Sequence, residues 1–233
     1  MSQMENNFPE FYKNWSFIHA VINIVFFGIS FSTGYYSIWL TISTLSFLYF
    51  ISFLPFYVTG FPLKIGYANI ITLFRLFLLI VLAFYHTDIE NLFLFFTFLF
   101  LIILDGIDGY IARRFHQTSE MGECLDMETD AFMVLVLSWI HFSEGRLGYW
   151  ILIPGSLKYF YTVLFYFKEW GNKEFLRKKI RALIAVVFFV SLITPFVFAS
   201  SISQPICMVA SMLIIISFGL SAVLKFLNRI TIN

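Results

Sequence analysis

The stretch LDGIDGYIARRFHQTSEMGECLDMETD, residues 104–130, holds nine charged residues in a chain that is otherwise strongly apolar. Charge at the edge of hydrocarbon is costly, and where it occurs it faces a protein interior or a water-filled cavity and marks function. The reading of this array decides both the fold and the chemistry.

Around it, the 233 residues are 60% hydrophobic and 12% charged. Soluble domains carry about 25% charged residues, so this composition belongs to a lipid-embedded chain. Eight apolar segments can be drawn, near residues 15–32, 36–58, 67–86, 91–112, 122–142, 147–167, 180–200 and 205–226. Their lengths bracket the roughly 20 residues that cross a bilayer as a helix. The breaks carry turn or charge signals: Thr33-Gly34, Pro55 to Pro62, His86 to Glu90, Glu144 to Gly148, Glu169 to Lys179 and Ser200 to Pro205. The expected fold is all-α, a polytopic integral membrane helical bundle. The N-terminus, MSQMENNFPEFYKNW, lacks the basic start, short apolar core and cleavage site of a signal peptide, so the first apolar run reads as a retained span. A net charge of +1 argues against a nucleic-acid partner. Two cysteines, Cys124 and Cys207, offer neither a metal-site spacing nor a disulfide framework.

Basic residues set orientation. With Lys13 in the cytoplasm and the spans alternating, Lys64, Arg75, Arg113, Arg114, Lys168, Lys173, Arg177, Lys178, Lys179, Arg181, Lys225 and Arg229 fall on the same side. Arg146 lies outside, and Lys158 sits within the sixth span. Both termini and the charged array are therefore expected to face the cytoplasm.

Within the array, Asp105 and Asp108 are three apart at the end of the fourth span. Asp126 and Asp130 are four apart at the start of the fifth. Each pair shares a helix face. The two spans are joined by a short connection, so four carboxylates can converge. Four such groups repel one another unless a hard divalent cation such as Mg²⁺ takes their oxygens. Two such ions can clamp the attacking and leaving oxygens of a phosphoryl displacement. Gly106, Gly109 and Gly122 each cost helix stability, about 1 kcal/mol against alanine, and suggest close approach by a ligand or backbone. Arg113 can meet a phosphate or the polar edge of a base.

The whole array reads D-x-x-D-G-x-x-A-R-(x8)-G-x-x-x-D-x-x-x-D, with Asp105, Asp108, Gly109, Ala112, Arg113, Gly122, Asp126 and Asp130 at its fixed positions. It resembles the signature of the CDP-alcohol phosphotransferases, integral-membrane enzymes of phospholipid synthesis. The resemblance implies a six-helix catalytic domain over 63–233, usually homodimeric, with residues 1–62 as an extension of two transmembrane helices. It implies transfer of a phosphatidyl or similar group from a CDP-linked donor to an alcohol, with release of CMP. Asp105, Asp108 and Asp126 would be metal ligands, for two Mg²⁺ or Mn²⁺ ions. Asp130 would be a ligand or the general base for the acceptor hydroxyl. Asp108, Gly109, Ala112, Arg113 and Gly122 would line the CDP site. Asn69, Thr72 and Arg75, spaced i, i+3, i+6 at the start of the third span, resemble the family's N-x-x-T-x-x-R pattern and would serve the donor site or position the motif.

Between the sixth and seventh spans, KEWGNKEFLRKKIRA concentrates basic residues. Positive-inside bias and attraction to anionic lipid account for such a segment. A sharper reading gives Lys168, Lys179 and Arg181 an anionic acceptor such as glycerol 3-phosphate or inositol phosphate. Serine, inositol, or a CDP-choline or CDP-ethanolamine donor remain open. Lys158, deep in its span, is a functional suspect by position. His116 and Glu120 read as solvated, and His19, His86 and His141 as interfacial. Of other classes, an ion-coupled transporter would place its site near the midplane between repeats, and an aspartyl protease needs one carboxylate pair rather than four acids.

Overall fold

The first helix shows how local residue chemistry sets the elements. In the computed structural model, which describes residues 8–57, 66–166 and 178–230, α1 runs Phe8–Thr33, seven residues earlier than the apolar run alone suggests. Pro9 sits in the first turn, where its missing N–H costs nothing. Glu10 meets the positive end of the helix dipole. Phe8, Trp15, Ser16, His19, Asn23 and Ser30 are buried along one stripe. Gly34 ends the helix at φ +77°, its N–H donating to the Ser30 carbonyl at 2.9 Å, the left-handed stop that glycine adopts without strain.

Seven more α-helices follow among the described residues: α2 Tyr36–Tyr57, α3 Tyr67–Tyr85, α4 Asn91–Arg114, α5 Glu120–Ser143, α6 Leu152–Phe165, α7 Lys178–Ile193 and α8 Ser200–Ile230. They correspond one to one with the eight apolar segments, and no strand occurs among the described residues. Single 3₁₀ turns precede α6 and follow α3 and α7. The break expected over Ser200 to Pro205 is instead the opening of α8, with Pro205 inside it. Proline near a helix start forfeits one backbone hydrogen bond, which a 31-residue helix tolerates.

Among the described residues, five stretches are long and apolar enough to cross a membrane: Phe8–Thr33, Ser37–Leu54, Tyr67–Asp88, Asn91–Arg114 and Ser200–Val223. Large side chains such as Phe77, Phe93, Phe96 and Val209 stand exposed on them, as lipid contact requires. The protein is a polytopic helical membrane protein. The three remaining helices, read as spans from sequence, fall short of that measure over the described residues. α5 carries five acids, Glu120, Glu123, Asp126, Glu128 and Asp130. The 14 residues of α6 rise about 21 Å, and the 16 of α7 about 24 Å, against a hydrocarbon layer of about 30 Å.

Contacts divide the chain into two units, Met1–Phe84 with Leu101–Met133, and Tyr85–Phe100 with Val134–Asn233. In the first, α1 and α2 form an aromatic hairpin. Trp15 stacks on Phe50 at 4.1 Å and on His19 at 4.7 Å, and its indole N–H donates to the Ser46 carbonyl at 3.1 Å. His19 Nδ1 lies 2.8 Å from Ser46 Oγ, and Trp39 Nε1 donates to Asn23 Oδ1 at 3.0 Å. His19 is fully buried, not interfacial, because the early start of α1 moves it into the helix interior.

In the second unit, Phe98 stacks on Phe196 at 5.7 Å. Fully buried His141 bonds the Leu192 carbonyl through Nε2 at 2.5 Å, so it too is a core residue. His86 is likewise buried, with Nε2 3.4 Å from Ser143 Oγ. Lys158 Nζ lies 5.6 Å from the Tyr159 ring centroid, within cation–π range. Cys124 and Cys207 are not joined in a disulfide.

Candidate active site

The site is built in the first unit, and it starts at the connection between α4 and α5. α4 ends in a 6→1 bond from Gln117 N–H to the Ala112 carbonyl at 2.8 Å and a 5→2 bond from His116 N–H to the Arg113 carbonyl at 3.4 Å. His116 takes φ +54° to allow this, the geometry of a Schellman stop. Two residues on, Ser119 caps α5. Its Oγ accepts from the Gly122 N–H at 3.1 Å, and Glu120 and Glu123 fill the acidic first turn. The same connection caps α3, because Gln117 Oε1 accepts from the Tyr67 N–H at 2.8 Å. Gly66 permits that approach, since a Cβ there would stand 2.7 Å from Gln117 Oε1. The starts of α3 and α5 and the end of α4 are thus tied through five residues.

This places Arg75 beneath all four signature aspartates. Its Nη1 lies 2.9 Å from Asp105 Oδ1, 3.0 Å from Asp108 Oδ2 and 3.0 Å from Asp126 Oδ1, and its Nη2 lies 2.7 Å from Asp130 Oδ1. Thr72 Oγ1 donates to Asp108 Oδ2 at 3.1 Å. The side chain of Arg75 is 0% exposed and that of Asp108 4%, whereas Asp105, Asp126 and Asp130 are 34%, 42% and 31% exposed. The cluster therefore has a closed floor and an open side.

Charge does not balance on that floor. Four carboxylates against one guanidinium leave three formal negative charges, and Arg75 is the one basic side chain in ion-pair range among the described residues. Asp105, Asp108 and Asp126 each bring a carboxylate oxygen within 4.8 Å of the others. Hard oxygen donors, excess negative charge and partial exposure together suit a divalent cation. Asp130 joins the group through Arg75 Nη2.

The remaining signature residues fall close by. Gly122 is needed by Asn69: a Cβ would stand 2.7 Å from Asn69 Oδ1, so the close approach at this glycine is made by a side chain of α3. At Gly109 a Cβ would meet Arg113 Nη1 at 3.4 Å, ordinary contact, and at Gly106 nothing of the chain lies within 4 Å. Arg113 is exposed and Ala112 half-buried on the last turns of α4. Asn69 and Thr72 are buried with Arg75 on one face of α3. Of the basic residues assigned to the acceptor, Lys168 lies outside the described residues, Lys179 sits in the first turn of α7, and Arg181, two residues on, is half-buried. Lys179 and Arg181 belong to the second unit.

Sequence reasoning missed one buried carboxylate. Glu128, between Asp126 and Asp130, is 1% exposed and accepts from Tyr12 Oη at 2.8 Å and Ser16 Oγ at 3.2 Å. Only the helical periodicity of α1, with Tyr12 and Ser16 four apart, hinted at it.

Comparison with known proteins bears on the family of the chain. The chain is 34% identical over 99 residues to a CDP-diacylglycerol–glycerol-3-phosphate 3-phosphatidyltransferase of Haemophilus influenzae, covering 41% of this chain and 52% of that protein. It is 35% identical over 91 residues to the like-named protein of Pectobacterium atrosepticum, covering 38% and 50%. It is 29% identical over 115 residues to that of Cereibacter sphaeroides, covering 48% and 50%. The chain thus spans about half the length of the curated relatives it matches. No solved structure matches it. The sequence profile of the CDP-alcohol phosphatidyltransferases matches residues 66–226, which hold α3 to α7, most of α8 and every signature aspartate, and the chain therefore belongs to the CDP-alcohol phosphatidyltransferase family.

Proposed function

We propose that the protein transfers a phosphatidyl group from CDP-diacylglycerol to the hydroxyl of a small polar alcohol, releasing CMP. The single observation that carries this reading is the convergence of four signature carboxylates on one buried guanidinium. Asp105, Asp108 and Asp126 would hold the divalent metal, with Asp130 as a further ligand or the base. Mg²⁺ or Mn²⁺, as two ions, suits the donor set; bound there, metal would neutralise the phosphates and lower the barrier to displacement. Asp130 takes the proton of the acceptor hydroxyl. The freed oxygen attacks the phosphatidyl phosphorus, the P–O bond to the CMP phosphate breaks, and CMP leaves with that electron pair. Asp108, Gly109, Ala112, Arg113 and Gly122 would line the nucleotide site, with Asn69 and Thr72 at its margin and Arg75 fixing the carboxylates from below.

For the acceptor, the names of the three relatives favour glycerol 3-phosphate over inositol phosphate. Lys168, Lys179 and Arg181 would meet its phosphate. The basic bias supports a cytoplasmic site and cytoplasmic termini. Residues 63–233 would be the catalytic domain, 1–62 an added pair of transmembrane helices, and the working form a homodimer.

The test is CMP release from CDP-diacylglycerol by the purified chain with Mg²⁺ or Mn²⁺, across a panel of acceptors, followed by lipid mass spectrometry. Phosphatidylglycerol phosphate is the expected product. Preference for serine, inositol or a CDP-choline donor would reassign the substrate within the family, and no CMP release under any pairing would overturn the reading.

A further inference from the structure

The two helices before the family match make contacts that the signature does not explain. On a helix advancing about 100° per residue, Glu128 points away from the bisector of Asp126 and Asp130 by about 180°. The front of α5 meets Arg75 through those aspartates. Its back meets the α1–α2 hairpin twice: Glu128 accepts from Tyr12 Oη and Ser16 Oγ, and one turn on Phe132 packs against Phe47 at 5.8 Å. Tyr12 and Ser16 stand on the same polar stripe of α1 as His19, Asn23 and Ser30. That stripe is bonded into α2 through Ser46, Trp39 Nε1 and the Trp39 N–H. The hydroxyls that hold Glu128 are thus themselves held by a hairpin cross-linked along its length.

We propose that the α1–α2 hairpin is a positioning element for the aspartate cluster: Tyr12 and Ser16, by gripping Glu128, fix the rotation of α5 and so the placing of Asp126 and Asp130. A twist of one buried helix by 20° moves a carboxylate by more than a metal–oxygen bond tolerates, because coordination accepts only a few tenths of an ångström. Burial of Glu128 makes the grip directional, since a carboxylate in that setting must keep its donors. Tyr12, Ser16 and Glu128 are positioning residues that act through α5. The inference rests on the reading that the cluster holds a divalent cation.

Mn²⁺ binding to the full chain in detergent, followed by electron paramagnetic resonance of the free ion, separates the two. Tyr12→Phe removes one hydroxyl and is expected to weaken Mn²⁺ binding about fivefold, below the 10- to 100-fold typical of groups bonded directly to ligands. Ser16→Ala, losing the longer bond, is expected to weaken it about twofold by the same reasoning. Glu128→Gln keeps an oxygen acceptor at the same place and should bind Mn²⁺ nearly as the parent does, while Glu128→Ala should fall further than Tyr12→Phe. Thermal unfolding of each variant identifies any that fails to fold, and Tyr12→Phe and Ser16→Ala, each a single-hydroxyl change, still decide the matter if Glu128→Ala is lost. Parent-like Mn²⁺ binding in Tyr12→Phe, or Glu128→Gln as weak as Glu128→Ala, overturns the positioning role. A parent chain that binds no Mn²⁺ overturns the metal reading and this inference with it.

Discussion

Arg75 and Arg146 are both largely buried arginines, one in each unit, and their surroundings differ in kind. Arg146 is matched group by group: it pairs with Glu144, donates to Asn91 Oδ1 and to the Pro195 carbonyl, and lies 4.8 Å over the Phe196 ring. One positive charge meets one negative charge, and the other N–H groups meet neutral acceptors. Arg75 meets four carboxylates. A guanidinium has five donors and one charge, so it can satisfy the geometry of that cluster and not its electrostatics. A balanced network holds a fold together. An unbalanced one, open on one side, suits a cation.

The largest expected effect breaks the unbalanced side. Asp130→Asn should lower transferase turnover by about 100- to 10,000-fold, the range for loss of a general base. It should leave the metal-free chain no less resistant to heat, because it removes one of three excess negative charges while an amide oxygen still faces Arg75 Nη2. Glu144→Gln at the balanced site should do the reverse, lowering the unfolding temperature and sparing turnover. If Asp130→Asn keeps its CMP release, the catalytic assignment is wrong; if it unfolds as Glu144→Gln does, the contrast between the two arginines is wrong.

Next comes Arg75→Lys. An ammonium is a point charge and cannot present two nitrogens to carboxylates on two helices. The charge stays but at least one charge-assisted hydrogen bond to a carboxylate is lost, each worth about 1.5–3 kcal/mol, so a much lower unfolding temperature and weak turnover are expected. Added Mg²⁺ should recover part of the thermal loss, since a ligand of the folded state stabilises it by mass action. Scanning with and without chelator measures this directly, and no recovery would count against cation binding by the cluster.

These residues also mark how far sequence could reach. Spacing within one helix was readable: Asp105 with Asp108, Asp126 with Asp130, and Asn69, Thr72 and Arg75 along a single face. That Arg75 gathers all four acids was not, since it lies 30 to 55 residues from them and the periodicity of one helix does not say which face meets which neighbour. The cause lies in the connection at 115–119, where a Schellman stop, a serine cap and Gln117 set the register of three helix ends, and its residues resemble any polar turn. Glu128 was hidden for a related reason. It stands among the signature acids, and what distinguishes it is a pair of hydroxyls more than 110 residues away. The eight helices were legible because apolar runs and turn signals are local. The true start of α1 was not, because its first turns are held by buried aromatic contacts rather than by hydrophobicity.

A smaller effect is expected at Gly122. Alanine there puts a methyl 2.7 Å from Asn69 Oδ1 and 3.2 Å from Ser119 Oγ. Asn69 must swing away, and the start of α5 shifts against α3. Overpacking of this kind costs about 1–3 kcal/mol. Asn69→Ala in the same chain should return most of the lost thermal stability without restoring turnover, as the Asn69 amide belongs to the proposed nucleotide site. Equal stability of the single and double variants would show that the contact is not what keeps glycine at this position.

Arg146→Lys should have the smallest effect, and it is the control on which the comparison turns. Lysine keeps the charge beside Glu144 but cannot reach Asn91, the Pro195 carbonyl and the face of Phe196 together. The loss is one or two neutral hydrogen bonds, each worth about 1 kcal/mol, and part of a cation–π contact of similar size. The unfolding temperature should fall by a few degrees, with turnover and its dependence on Mg²⁺ unchanged. Because charge is conserved in both Arg→Lys changes, any difference between them isolates the number of carboxylates that the guanidinium must span. If Arg146→Lys altered the Mg²⁺ dependence as Arg75→Lys is expected to, the excess charge at the aspartate cluster would no longer explain the response to metal.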